Sequence, residues 1–283
     1  MTGTNGRLSL AFHYDPQALQ TRLNIREQRQ PLKVVRAFHL DDGTALVHLH
    51  NLSGGVLAGD KLSLELSVGA GATAQVTSTS ATRLYRSRME ARPAESATNV
   101  QVGENALLEY LPDPLIPFAG ARYCQQTAIR LDDSAGLFWW ETLAPGREAR
   151  GEVFSYDSLD LTFTLQVAGT PVVLERAYLR PAVRSLHSIA RMGAYRYLAS
   201  FYICRAGTPD SEWRGLENQV LELSGRLTSP VIIWGLTRLP AHGLVVRALS
   251  HNGRDITRGL ILFWRVAKQA LYGRDAVLPR KIY

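Results

Sequence analysis

Three carboxylates stand at positions where the residue pattern gives them possible chemistry. Asp60, Glu141 and Glu175 each fall in phase with the apolar residues of a strand-like run, so each would point to the same side as those neighbours. A carboxylate on an apolar face is costly unless it is paired, hydrated or bound to a cation. The simplest interpretation is that these acids form buried ion pairs with arginine. One alternative is a hydrated cation site, and another is that the inward face of the strand is assigned incorrectly.

A pair of histidines offers a weaker metal-binding pattern. His48 and His50 lie two residues apart in the run ALVHLHN, and residues i and i+2 of a strand face the same side. Both imidazoles could therefore reach one metal ion, but two ligands are too few for a tight site. A histidine pair on a partly exposed strand face remains the simpler interpretation.

The chain carries no motif of a common catalytic class. It contains no GxSxG or HExxH motif, and the turn GGVLAGDK at 54–61 does not match a P-loop. Two carboxylates can perform glycoside hydrolysis, and Trp139 and Trp140 beside Glu141 could stack against a sugar. A β-rich glycan hydrolase is therefore one alternative, although the sequence fixes no distance between two acids.

The elements that must position these residues are mainly strands in the first two thirds of the chain. Apolar and polar residues alternate over 62–68, 72–77 and 161–167, which is the period of a strand with one buried face. Closely spaced strands separated by glycine-containing turns are typical of stacked antiparallel sheets. The pattern therefore predicts a mainly β protein.

Two amphipathic helices are predicted in the C-terminal third, near 211–227 and 255–272. The second has an apolar stripe that includes Ile256, Leu260 and Phe263, with Asp255 as its expected N-cap and Gly273 as its end. No linker interrupts the chain, so 1–283 is predicted to form a single domain, with 1–7 disordered at its start.

Composition narrows the class of protein. The formal net charge is +7, and only four of the 32 basic residues are lysine, leaving 28 arginines. These arginines are scattered among apolar residues, which suits protein interfaces, so a basic nucleic-acid-binding module is only a third alternative. The sequence has no apolar run long enough to span a membrane and no secretory signal pattern, and it therefore predicts a cytoplasmic protein.

The segment 107–152 carries a family resemblance. It contains LPDPLIPF at 111–118, WWE at 139–141 and APGREARGE at 144–152. Three later pieces follow in order: RMGAYRYLASFYICR at 191–205, AHGLVVRALS at 241–250 and PRKIY at 279–283. In these six pieces the chain closely resembles the UreD (UreD/UreH) family of urease accessory proteins, from about Arg36 to Tyr283.

The resemblance implies a fold and a function. It implies a β-helix-like stack of sheets and a non-enzymatic chaperone that acts with UreF and the GTPase UreG to deliver nickel to apo-urease. It further implies a hetero-oligomer with these proteins and the urease structural subunits, no tightly bound cofactor, and only transient Ni²⁺. UreD proteins are thought to hold an internal water-filled passage. Asp60, Glu141 and Glu175 match acids of the family, and we expect them to be nickel-transit residues.

A partner surface is expected at the C-terminus. Apolar and basic residues are mixed there, and aromatic residues and arginine are enriched at interface centres. Six residues are predicted to bind UreF: Trp264, Arg265, Lys268, Arg280, Lys281 and Tyr283.

Overall fold

A computed structural model describes residues 3–87 and 92–279 of the chain. Within these residues the protein is mostly strand, as predicted. The strands, numbered in chain order, are β1 (Asn5–Asp15), β2 (Gln20–Arg29), β3 (Leu32–Lys33), β4 (Ala37–His39), β5 (Ala45–Asn51), β6 (Lys61–Val68), β7 (Thr73–Ser78), β8 (Thr82–Leu84), β9 (Ala94–Val102), β10 (Leu107–Tyr110), β11 (Leu115–Pro117), β12 (Arg122–Leu131), β13 (Gly136–Leu143), β14 (Ser158–Val167), β15 (Thr170–Leu179), β16 (Tyr197–Arg205), β17 (Ile232–Arg238) and β18 (Gly243–Ser250). The two helices are α1 (Asp210–Leu227) and α2 (Gly253–Tyr272).

The strands form two stacked sheets. The first sheet has the order β15-β14-β12-β9-β6-β1-β2. The second follows the path β17-β18-β16-β13-β10-β7-β5-β3, with β4, β8 and β11 paired at its side. From β5 to β14 the chain passes back and forth between the two sheets, so each coil adds a strand to both. This is the β-helix-like stack that the family resemblance implies.

The direction of strand pairing differs from the antiparallel arrangement predicted. In the first sheet β6, β9, β12 and β14 pair in parallel, and in the second β5, β7, β10 and β13 do the same. Each coil returns to a sheet in the same direction, whereas the hairpins β1–β2 and β14–β15 and the strands β16–β18 pair antiparallel. The alternation of apolar and polar residues has a period of two in both kinds of sheet, so it could not distinguish them.

The N-terminal residues are more ordered than predicted. Asn5, Gly6 and Arg7 belong to β1 and lie in parallel register with residues 61–63 of β6. The prediction that 1–7 is disordered is therefore wrong for residues 5–7, because a polar sequence can still form the end of a strand when a neighbouring strand satisfies its backbone.

Three apolar clusters hold the layers together. Two lie between the sheets, one around Leu10, Leu66 and Trp139 and the other around Leu62 and Tyr156. The third lies between the helices and the outer face of the second sheet. The two clusters between the sheets are separate, and residues of both line the cavity described below.

Both helices match their predicted positions, with one difference at a cap. The apolar stripe of α2 is buried, and Gly273 ends the helix with a φ of 60°. The N-cap is Asn252, whose side chain accepts a hydrogen bond from the Asp255 amide, rather than Asp255 itself. Across the described ranges, no helix is long and apolar enough to cross a membrane.

A glycine in α2 fixes how closely the helix approaches the second sheet. A Cβ atom added at Gly259 would lie 2.1 Å from Cζ2 of Trp234 on β17. We expect Gly259→Ala to lower the free energy of unfolding by about 2 kcal/mol, because the buried ring cannot move without opening the packing. Urea denaturation measures this change. The matched control is Gly215→Ala in α1, where an added methyl meets nothing within 4 Å and should stabilise the helix by about 0.5–1 kcal/mol. Equal effects at the two positions would contradict the packing explanation.

Candidate functional site

A cavity of about 650 Å³ lies between the two sheets. Its walls include residues of both inter-sheet clusters, and six strands of the first sheet contribute, from β15 across to β1. Neighbouring strands lie about 4.8 Å apart, so the cavity extends over about 24 Å. The lining includes exposed residues, among them Arg176 on β15 and Ser80 in the turn after β7. The cavity therefore crosses the stack of sheets and reaches the surface.

Glu141 lies on β13 with its side chain on the cavity wall. Its Oε1 atom accepts hydrogen bonds from Nε2 of Gln125 at 2.9 Å and from Nε1 of Trp139 at 3.3 Å. Burial raises the pKa of Glu141 to about 7, against the lowering effect of these two bonds, and the charge of Glu175 adds to the rise. A carboxyl with this pKa can gain or lose a proton near neutral pH.

Glu175 lies on β15 at the end of the same cavity. It accepts a hydrogen bond from Nη2 of Arg247 on β18, and the other arm of that guanidinium donates to Oγ of Ser200 at 3.1 Å. Burial raises the pKa of Tyr202 beside it, and the Glu175 charge adds to the effect. The structure thus brings Glu141 and Glu175 together on one cavity, and an arginine pairs with the second acid.

Asp60 lies elsewhere. It is buried, as its phase indicated, but it does not line the cavity. Its Oδ1 atom accepts the amide of Thr4 and its Oδ2 atom the amide of Leu57, each at 2.8 Å. The two backbone donors explain why this carboxylate can be buried, and they give it a structural role in holding the turn at 54–61 against the first strand.

The two histidines are only partly brought to the cavity. His50 lines the end of the cavity opposite Glu175. The ring of His48 meets Phe38 edge-on, with the ring centroids 5.8 Å apart. Within 3–87 and 92–279, no three His, Cys, Asp or Glu side chains gather as a metal site would need. Metal binding by His48 and His50 stays a weak prediction.

Aromatic rings form a large part of the cavity wall. Tyr110 stacks on Trp139 with their centroids 3.9 Å apart, and Phe163 stacks on Tyr202 at 4.1 Å. Trp139 also contacts Phe163, with a centroid distance of 6.1 Å, so the four rings join the two sheets. In each stacked pair one face of each ring is covered by the other ring. The wall also carries polar groups, among them Gln125, Glu141 and Ser200.

Sequence reasoning missed several residues of this site, namely Gln125, Tyr110, Tyr202 and Arg247. Each sits on a strand whose own pattern is ordinary, and Gln125 and Arg247 reach the acids from the opposite sheet. Arg247, for example, is 72 residues from Glu175. The surplus of arginine was the only signal, and it did not say which arginine would pair with which acid.

The motifs of 107–152 brace one another beside the cavity. Nε1 of Trp140 donates to the Pro112 carbonyl at 2.9 Å. Arg147 forms a forked ion pair with Glu152, and its guanidinium lies 4.2 Å from the ring centroid of Phe118. These contacts explain the sequence motifs as a structural frame for the wall that carries Glu141.

The predicted partner surface at the C-terminus requires a correction. Trp264 and Lys268 have 0% exposed surface. Nζ of Lys268 lies 3.1 Å from Oε1 of Glu109, and Nε1 of Trp264 donates to the same oxygen at 3.0 Å. The prediction that Trp264 and Lys268 contact UreF is therefore wrong, because an internal carboxylate holds both. Arg265 is exposed and stays a prediction, and Arg280, Lys281 and Tyr283 lie outside the described residues.

Comparison with known proteins adds the family. The family model described as UreD urease accessory protein matches residues 4–282. Urease accessory protein UreD of Herpetosiphon aurantiacus is 48% identical over 280 residues, covering 99% of this chain and 96% of that protein. Urease accessory protein UreD 2 of Brucella suis is 29% identical over 284 residues, covering 98% and 90%, and UreD of Lysinibacillus sphaericus is 30% identical over 216 residues, covering 76% and 80%. With residues 4–282 matched by the family model and a relative 48% identical over nearly its whole length, the chain belongs to the UreD family of urease accessory proteins.

Proposed function

We infer that this chain is a non-enzymatic maturation factor that passes Ni²⁺ to apo-urease through the cavity between its sheets. It acts in the cytoplasm in a complex with UreF, UreG and the urease structural subunits. Family membership supports the role in urease maturation. The proposed passage rests on one observation: a single cavity crosses the stack of sheets, and Glu141 and Glu175 lie on its wall.

The chemistry of the wall suits a cargo that must be released. Carboxylate oxygens bind a hydrated divalent ion weakly, whereas thiolates would hold nickel more tightly. Glu141 keeps a second oxygen, since both of its hydrogen bonds end on Oε1. Glu175 lies at the end of the cavity near Arg176 and Arg247, where its carboxylate can contact an ion that enters or leaves the cavity. The two acids thus mark an inner point and an end of one route.

The transit role is proposed for two of the three acids. Both oxygens of Asp60 already accept backbone amides, so a nickel ion would have to compete with the turn that those bonds maintain. The glycan hydrolase alternative gains no support from the two tryptophans, because Trp140 packs against Phe201 and Trp264 away from the cavity and Tyr110 covers one face of Trp139.

We expect the double variant Glu141→Ala/Glu175→Ala to assemble with UreF and UreG but to lower the nickel content and activity of urease by about tenfold. The physical reason is that the route loses both carboxylates while the strands that carry them keep their pairing. The measurement is nickel per urease active site by elemental analysis, together with urease activity, after co-expression. Glu65→Ala is the matched control, because Glu65 is a strand carboxylate on the outer face of β6, paired with Arg7.

Two results would overturn this function. Normal nickel content in urease matured with the double variant would show that the cargo does not depend on these acids. Loss of the accessory complex in the double variant but not in Glu65→Ala would make Glu141 and Glu175 structural residues. Co-purification of wild-type chain with UreF and urease subunits tests the partners separately.

A further inference from the structure

Arg247 belongs to a row of polar residues on the cavity face of the second sheet. In the antiparallel register of β13, β16 and β18, Glu141 lies opposite Ser200, and Ser200 lies opposite Arg247. Residues directly opposite each other share a face of the sheet, and all three line the cavity. The row therefore leads from the inner acid Glu141 to an arginine at the end of the cavity.

The side chain of Arg247 bridges the two sheets at this end. Stacked sheets lie about 10 Å apart, and Glu175 is on β15, the edge strand of the first sheet. The guanidinium donates from one arm to Glu175 and from the other to Oγ of Ser200 at 3.1 Å. An ion that moves along the cavity toward this end therefore reaches a carboxylate that a guanidinium already occupies.

This contact can open without disturbing the strands. The side chains of Arg247 and Glu175 are 42% and 31% exposed. Ion pairs with this much exposure are held only weakly against water, and an arginine can keep its stem packed while its charge moves into solvent. Within the described residues, the guanidinium donates no hydrogen bond beyond those to Glu175 and Ser200. Arg247 can therefore occupy an inward, paired position or an outward, solvated one.

The local charges favour a divalent cation as the competitor of Arg247. Arg176, the other arginine at this end, forms a forked ion pair with Asp160, so its charge is already balanced. Glu141 and Glu175 carry two negative charges when both are ionised, and Arg247 balances one of them. Coulomb attraction is proportional to the charge of the ion. A divalent ion therefore gains twice as much as a monovalent one when it replaces the guanidinium.

We propose that Arg247 is a gate residue at the Glu175 end of the passage. Its guanidinium closes this end while it occupies Glu175. The gate opens when a divalent cation takes that carboxylate and the arginine turns to solvent. The proposal rests on the nickel route inferred above and adds the element that controls it. Competition with the guanidinium keeps cation binding weak, as a cargo that must be released requires, and it selects against monovalent ions.

The test measures binding of NiCl₂ to the purified full chain in competition with a coloured chelator. Arg247→Gln is expected to raise the affinity for Ni²⁺ by about fivefold, because no guanidinium then competes for Glu175. A damaged fold would not produce a gain in affinity. Ser200→Ala keeps both charges but removes one bond that holds the guanidinium, and it should raise the affinity by about twofold.

Two further variants isolate the position and the charge. Arg247→Lys retains a cation beside Glu175 and should return most of the way to the wild-type affinity. The matched control is Arg238→Gln, which removes a partly exposed, ion-paired arginine of the same sheet that does not line the cavity. Its affinity for Ni²⁺ should stay within about twofold of wild type, because solvent screens charges at a distance.

The outcomes separate the gate from the nickel route. If neither Arg247→Gln nor Ser200→Ala binds Ni²⁺ more tightly, or if Arg238→Gln gains as much as Arg247→Gln, the gate is overturned while the route stands. If Glu141→Ala/Glu175→Ala binds Ni²⁺ as well as wild type, neither acid holds the ion and both proposals fail. If that double variant loads urease normally while Arg247→Gln still gains affinity, Arg247 controls a cation site but the route through it is overturned.

Discussion

Replacing Lys268 by methionine is expected to lower the free energy of unfolding by about 3–5 kcal/mol. Lys268 and Glu109 have no exposed surface, and the lysine ammonium is the cation that pairs with that carboxylate. Burial raises the pKa of Glu109, and the charge of Lys268 opposes this rise. Without the lysine, Glu109 would be left as a buried charge beside the neutral donors Gln75 and Trp264. The loss should be measured by urea denaturation of purified chain at neutral pH.

Two further variants show whether the pairing is the cause. Glu109→Gln/Lys268→Met should recover most of the stability, since it removes both charges and keeps an acceptor for Trp264. Lys61→Met is the surface control, because the Lys61–Glu95 pair is about half exposed with its atoms 3.5 Å apart and should contribute less than about 1 kcal/mol. If Lys268→Met lowered the free energy of unfolding no more than Lys61→Met does, the buried ion pair would not be the cause of the loss.

Glu141→Gln is expected to stabilise the folded protein by an amount that grows as pH rises above 4.5 and reaches a plateau above about pH 7. The wild-type carboxyl has its pKa raised from 4.5 to about 7 in the folded state, mainly by burial. The folded state therefore holds this proton more tightly than the unfolded state, and stability falls as pH rises from 4.5 toward 7. Above that window the ionised carboxylate costs about 2 kcal/mol, allowing for water in the cavity. A glutamine avoids this cost and keeps the acceptor for Gln125 and Trp139.

The measurement is urea denaturation of wild-type and variant chain at a series of pH values between 5 and 8. The difference between the two should be small at the acid end and should grow through the window to a plateau. Glu222→Gln on the exposed face of α1 is the matched control, because water solvates that charge in both states. A difference between Glu141→Gln and wild type that is the same at every pH would rule out the buried charge as its cause.

The local elements could be predicted because each has a period that its own residues reveal. The alternation at 62–68 became β6, and the stripe with Ile256, Leu260 and Phe263 became the buried face of α2. The direction of pairing could not be predicted, since it depends on how the chain returns to each sheet. The local residue pattern therefore predicts individual strands and helices, whereas the path by which the chain returns to each sheet determines how the strands stack.

The candidate site was predicted only in part, for a related reason. Phase correctly placed Asp60, Glu141 and Glu175 on inward sides, but the atoms that meet each carboxylate come from distant segments. Thr4 meets Asp60, and Arg247 meets Glu175. Trp264 lies off the main stripe of α2, and that position suggested a surface residue. Glu109 of β10 contacts this side of α2, so the buried part of the helix surface is wider than its apolar stripe indicates.

The distance along the chain between Glu109 and Lys268 also matters while the protein is being made. The two residues are 159 positions apart, and α2 is the final helix of the fold. A ribosome releases residues in order, so the nascent chain completes β10 and β13 long before β16 or α2 exists to cover them. Contacts between such distant segments also form slowly. The edge of β13 stays open only until β16 is made, but the Glu109 carboxylate lacks its lysine until translation is nearly finished, and a product truncated before α2 would keep that carboxylate unpaired.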